Sequence, residues 1–210
     1  MIEHLGIMEV LGIAGSVSLL SGWQLYLTVL ATGLAMHYQV LPLPEHLQSL
    51  QVLANPWVMG AAGTAAFFEF FADKVLWLDS LWDTVHTFIR PVGGALLTLA
   101  VIDPSDPATQ VVAFVLGGGA SLLAHGGKAG VRAVANTSPE PVSNVVLSTA
   151  EDVVTGGLLY LAYTNPVLAG GIALVLLVLA IGLLLWARRV LKRVFGRGAA
   201  PEPPVIGDSP

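Results

Sequence analysis

The sequence predicts an all-α fold, a polytopic membrane helix bundle of about six spans with broken or re-entrant segments. Three observations lead there. Of 210 residues, 55% are hydrophobic and 11% charged, whereas an ordinary soluble domain is about 25% charged. So few charges cannot coat a water-exposed surface, and lipid is the medium that accepts the apolar excess. Mean hydropathy is +0.77, and no long polar linker divides the chain. Finally, the nine basic residues are distributed unevenly. With six spans and an inside N-terminus, Lys74, Arg90, Lys128, Arg132, Arg188, Arg189, Lys192, Arg193 and Arg197 all fall at cytoplasmic ends or loops. The outside loops near 42–55, 103–107 and 164–166 contain none. That asymmetry is the positive-inside pattern.

Residues 1–190 are expected to form one transmembrane helical domain, and 191–210 a cytoplasmic tail. The apolar stretches are 7–41, 56–72, 91–102, 108–124, 143–163 and 166–187. The first exceeds one straight span of about 20 residues and is expected to kink or break at Gly15-Ser16 and Ser21-Gly22; polar Ser21, Gln24 and Tyr26 at the second point resemble the broken helices that line binding sites, or are ordinary interhelical hydrogen bonds. The third is too short to span alone and must borrow length from the amphipathic segment before it. Asn55-Pro56, Asp106-Pro107 and Asn165-Pro166 open three of the spans with a capping side chain and a proline at the first helical position. These shared openings read equally as common cap chemistry or as an internal repeat, parallel or inverted. Pro139 and Pro141 forbid a regular helix through 136–141. The tail, with Ala200-Pro201-Glu202-Pro203-Pro204, should be disordered. The N-terminus carries Glu3 and Glu9 and no basic run, so Met1 is expected to be the mature start.

Most ionisable residues sit in two blocks between spans. In the first, Glu69 and Asp73 are four apart and share a helix face, followed by Lys74. Asp79, Asp83, His86 and Arg90 then recur at helical spacing, with Leu78, Leu81, Trp82, Val85 and Ile89 opposite. This stripe is either a solvated interfacial face, with Trp77 and Trp82 at headgroup depth, or an inward-facing polar wall. Asp79 is placed to cap its helix. In the second block, His125, Lys128, Arg132 and Asn136 form another stripe, followed by Glu140 and Asn144. Glu151 and Asp152 come next inside an apolar span. Glu151 lies about nine residues past the turn, roughly 13 Å deep. An isolated carboxylate there costs at least ~2.5 kcal/mol and by default marks a function. The competing reading is a structural ion pair with Lys128, Arg132 or Lys74.

Several classes are excluded. With no cysteine there is no disulfide, thiolate metal site or Cys nucleophile. A net charge of −5 and a pI of about 5.4 do not suit a nucleic-acid partner. Asp79, Asp83 and His86 can in principle hold a divalent ion, but Arg90 beside them counts against it, so no metal and no cofactor is expected. The glycines 60, 63, 93, 94, 117–119, 156 and 157 lack the strand-to-helix context of a nucleotide loop. They read as close-packing positions or as flexible breaks.

The motif residues carry a resemblance. Ser21-Gly22-x-Gln24-x-Tyr26, Glu69-Phe70-x-Ala72-Asp73-Lys74, Asp79-Ser80-x-Trp82-Asp83 and Arg90-Pro91 belong to it. So do His125-x-x-Lys128, Arg132, Asn136-x-Ser138-Pro139-Glu140-Pro141, Asn144, Ser148 and Glu151-Asp152. From about 10 to 165 the chain resembles a group of bacterial membrane proteins catalogued as domain of unknown function 4126. Gln24 stands where that pattern leads one to expect Asn. The resemblance implies a bacterial multi-span protein and carries over no activity.

The expected function is a small secondary transporter or channel for a small solute or ion, with a polar core between two hairpins. Glu151 and Asp152 are its expected midplane acids, and Glu69 and Asp73 lie nearer the cytoplasmic mouth. A membrane scaffold or accessory subunit is the alternative. An intramembrane enzyme using His86 or His125 ranks last, for want of a nucleophile or metal motif. The lipid bilayer and further copies of the chain are the expected partners.

Overall fold

The computed structural model describes residues 6–39, 45–102, 106–137 and 141–195. Six α-helices follow one another: α1 Ile7–His37, α2 Pro56–Ala72, α3 Leu76–Val101, α4 Pro107–Ala135, α5 Pro141–Thr164 and α6 Pro166–Phe195. A 3₁₀ segment, Glu45–Ala54, joins α1 to α2, and the described residues include no strand. Five of the helices are long and apolar enough to cross a bilayer. The sixth, α2, has 17 residues; at about 1.5 Å per residue it sits at the short limit of a span. The chain is a multi-pass membrane protein, and its exposed Leu, Val and Phe side chains meet lipid.

The expected starts are formed. The Asn55 side chain accepts the Trp57 amide at 2.9 Å, and Asn165 accepts the Leu168 amide at 3.3 Å. Asp106 accepts the amides of Ala108 and Thr109 at 3.1 and 3.2 Å. The Thr109 hydroxyl and those amides hold the Asp106 carboxyl below the usual carboxylate range. A lowered carboxylate stabilises α4 above its unfolded pKa, and the contribution is lost as pH falls through the folded value. The short apolar stretch after Arg90 borrows length as anticipated, because α3 runs unbroken through Pro91.

Two local expectations are corrected. Within α1 the backbone leaves helical geometry at Gln24 (φ −141°, ψ 74°), while Gly15, Ser16, Ser21 and Gly22 all remain helical. Asp79 does not cap α3. The residue in that place is Val75, without a side-chain cap. The prolines do separate α4 from α5. Residues 138–140, Glu140 among them, and the tail from 196 onward lie outside the described residues.

Helix α1 is the axis. It touches every other helix and the 3₁₀ segment, and most of its middle is buried. Ile13, Val17, Leu19 and Leu20 pack with Leu97 and Val101 of α3, Leu158, Leu159 and Ala162 of α5, and Ala169 and Ala173 of α6. The polar side chains on α1 satisfy themselves within this core. Ser18 donates to the Gly117 carbonyl, and Thr32 shares a 2.9 Å bond with Tyr163.

Close approach explains some glycines and not others. A Cβ on Gly22 would collide with the Ser121 carbonyl where α1 crosses α4, whereas Gly60, Gly119, Gly156 and Gly157 face open space. Small residues at such crossings let backbones touch. Gly22→Val is therefore expected to lower the unfolding temperature of the purified protein in detergent, and Gly60→Val to leave it near wild type. Equal loss in both would refute the packing role of Gly22.

Candidate functional site

The two polar blocks converge. A buried network collects side chains from α1 through α5, and α6 contributes none among the described contacts. The charged stripe of α3 faces inward: Asp79, Asp83, His86 and Arg90 are all buried. The interfacial reading of this helix is thereby replaced. Trp77 is exposed, but Trp82 stacks on His86 at 4.4 Å.

Arg90 is wholly enclosed. Its Nη2 lies 2.6 Å from Glu69 Oε1, a pair with no exposed side-chain surface on either member. Its Nη1 is 3.4 Å from Asp83 Oδ1, 2.7 Å from His125 Nδ1 and 3.3 Å from the Gly22 carbonyl. A guanidinium only donates, so His125 Nδ1 must be the acceptor. The ring is then neutral, with its proton on Nε2, where the Asp83 carbonyl lies at 3.1 Å and the Thr87 hydroxyl at 3.0 Å.

A second group surrounds Asp73, one residue past the end of α2. Lys128 Nζ lies 3.0 Å from Asp73 and 3.3 Å from Glu151. Arg132 is shared by three carboxylates: Asp73 at 3.2 Å, Glu151 at 2.8 Å, and Asp79 in a short contact. Asp152 accepts from Gln24 Nε2 at 3.0 Å, and the same amide nitrogen lies 3.2 Å from Asp73. Lys74 sits at the edge, 3.2 Å above the centre of the Phe70 ring and 3.1 Å from the Ser148 hydroxyl.

The break in α1 joins the two groups. Non-helical geometry at Gln24 removes the regular amide partners of the preceding turn. Two carbonyls of that turn turn to cations: Gly22 to Arg90, and Trp23 to Lys128 at 3.0 Å. The end of a helical segment carries partial negative charge, so the break supplies what the buried cations need.

The network assembles Glu69, Asp73, Asp79, Asp83, Arg90, His125, Lys128, Arg132, Glu151 and Asp152, with Lys74 at its edge. His86 stands beside it, its Nδ1–H donating to the Trp82 carbonyl at 2.7 Å and its Nε2 2.9 Å from the Tyr26 hydroxyl. Asn136 lines a polar pocket between α3 and α4. Asn144 belongs to α5, and its side chain is outside the description. The expected ranking of depth is reversed within the bundle. Glu69 and Asp73 are fully buried, whereas the Glu151 side chain keeps 17% exposure. Gln24 and Tyr26, polar residues of the expected break in span 1, are not among the expected pathway residues, yet Gln24 bonds Asp73 and Asp152 and Tyr26 bonds His86. The available signal was an amide two residues from a glycine in an otherwise apolar run. Among the described residues no three acids or histidines are grouped to hold a metal ion.

The family model described as "Domain of unknown function (DUF4126)" matches residues 11–186. The chain belongs to the DUF4126 family. The match covers every residue of the network. No curated protein and no solved structure matches the chain.

Breaking a buried pair from one side strands a charge and typically costs 3–5 kcal/mol, while replacing both partners costs far less. In this DUF4126 protein, Arg90→Met should destabilise the fold by about 3–5 kcal/mol, and Glu69→Met with Arg90→Met by clearly less. Denaturant unfolding in mixed micelles measures both. A double variant no better than the single would show that the pair is not the source of the loss.

Proposed function

We propose that this protein is a small secondary transporter or channel, moving a small solute or ion past a polar, ion-paired core between the α2–α3 and α4–α5 hairpins. One observation carries the reading. Carboxylates and cations from both hairpins meet inside the bundle at the break in α1. Ionisable groups held within spanning helices mark pathways by default, and broken helices supply binding sites in many transporters. Glu151 and Asp152 are the pathway acids closest to exposed surface; Lys128 and Arg132 are the cations that release or hold Glu151, and Asp152 is held by the Gln24 amide.

In this reading the protein resides in a bacterial cytoplasmic membrane with both termini inside, which places Lys74, Arg188, Arg189, Lys192 and Arg193 on the cytoplasmic side, while Arg90, on α3, is enclosed. A bundle this small has little room for a wide internal pore, which favours a homo-oligomer.

The scaffold or accessory-subunit reading also has support. A cavity of about 750 Å³ bounded by α1, the 3₁₀ segment, α2 and α3 is apolar, and the polar pocket between α3 and α4 is about 250 Å³. Stable co-purification with another membrane protein, together with no flux, would favour that alternative.

Flux into liposomes carrying the purified protein tests transport. Glu151→Gln and Asp152→Asn should each reduce it about tenfold or more, the effect of ~1.4 kcal/mol on a limiting barrier. Wild-type flux in both variants removes these acids from the mechanism.

A further inference from the structure

We infer that the pocket between α3 and α4 is a proton-binding site, at which Asp79 takes a proton from water.

Charge balance is the first ground. The network brings six carboxylates, Glu69, Asp73, Asp79, Asp83, Glu151 and Asp152, together with four cations, Lys74, Arg90, Lys128 and Arg132. His125 is held neutral by the hydrogen bond it accepts from Arg90. Glu151, Asp152 and Lys74 are part-exposed; the enclosed acids Glu69, Asp73, Asp79 and Asp83 face the enclosed cations Arg90, Lys128 and Arg132, so with His86 neutral one buried carboxylate is in excess. An uncompensated charge in a low-dielectric interior is relieved by neutralisation.

Geometry says where. Asp79 is almost wholly buried. One of its carboxylate oxygens faces Arg132, while the other, Oδ2, has no hydrogen-bonding partner among the described residues; one oxygen each of Glu69 and Asp73 is in the same state, but neither of those residues lines the pocket. Asp79 and Asp83 both line the pocket, beside the hydroxyls of Ser80, Thr84 and Thr87. Its volume of about 250 Å³ admits several waters. A hydronium ion in the pocket passes its proton to the Asp79 carboxyl and remains as water, and the network's charge rises by one unit. The charged groups facing Asp79 are Asp83 on its own helix, Arg132 and Lys128 on α4, and Asp73 at the end of α2. Asp83 faces Arg90 and, through its carbonyl, His125. Because Arg132 also holds Asp73 and Glu151, a neutral Asp79 slackens the tie from α3 to α4 without leaving Arg132 unpaired.

This inference concerns the charge state at rest and stands apart from transport. It is tested on the full chain in lipid vesicles near neutral pH by two measurements. Infrared spectra should contain a protonated-carboxyl stretch that Asp79→Asn removes and Asp106→Asn leaves in place. In the wild-type protein, a membrane-permeant carbodiimide should form adducts that peptide mass spectrometry places on Asp79, with yield falling as pH rises. Should Asp79→Asn fail to fold, the wild-type adduct map decides. Absence of the protonated band, its persistence in a folded Asp79→Asn variant, or adducts confined to Glu9 and Asp106 would each overturn the assignment.

Discussion

A charge inside a bilayer must find an opposite charge, a dipole or water, and this bundle is arranged around meeting that demand. The break at Gln24 is where it is met. Two backbone carbonyls and one side-chain amide of α1 reach Arg90, Lys128, Asp73 and Asp152. Without the break those carbonyls would be spent inside α1, and Arg90 and Lys128 would each lose a backbone acceptor. The ion pairs in turn fix how α2, α3, α4 and α5 stand around the axis. Polar satisfaction in this protein is therefore a long-range matter. The bond from Gln24 to Asp152 spans most of the chain between its partners.

Much of the architecture was legible from the residues. Asn55, Asp106 and Asn165 announce helix starts because capping chemistry is local. The stripe Asp79, Asp83, His86, Arg90 announces one polar face because its spacing matches the helical period. Which way that face points is not local. Trp77 and Trp82 suggested a headgroup-level helix, and only the arrival of His125 and Arg132 from α4 makes an interior position tolerable. Placing the break at Ser21-Gly22 followed the ordinary weakness of such pairs in helices. In the fold Gly22 serves close contact with α4 instead, and the distortion falls on the neighbouring amide side chain.

The ordering of the acids shows the same limit. Counting along α5 places Glu151 deep, since depth within one helix follows from its rise. Enclosure depends on what lies alongside, and Glu69, near the end of α2, is sealed by Arg90 from α3. A sequence yields the coordinate along a helix far more readily than the identity of its neighbours. Family membership narrows that gap only in part, since it locates the motif residues without assigning them work.

The burial of α1 has a consequence for biogenesis. Ser16, Ser18, Ser21, Gln24, Thr28 and Thr32 are all enclosed by helices that come later in the chain. During synthesis the least lipid-compatible helix is made before the partners that shelter it. It must either wait at the insertion machinery or enter the bilayer with its hydroxyls bonded back to its own backbone, as Ser16 and Thr28 are in the finished fold. Those self-contained bonds equip the axis to survive alone until α4 and α5 close around it.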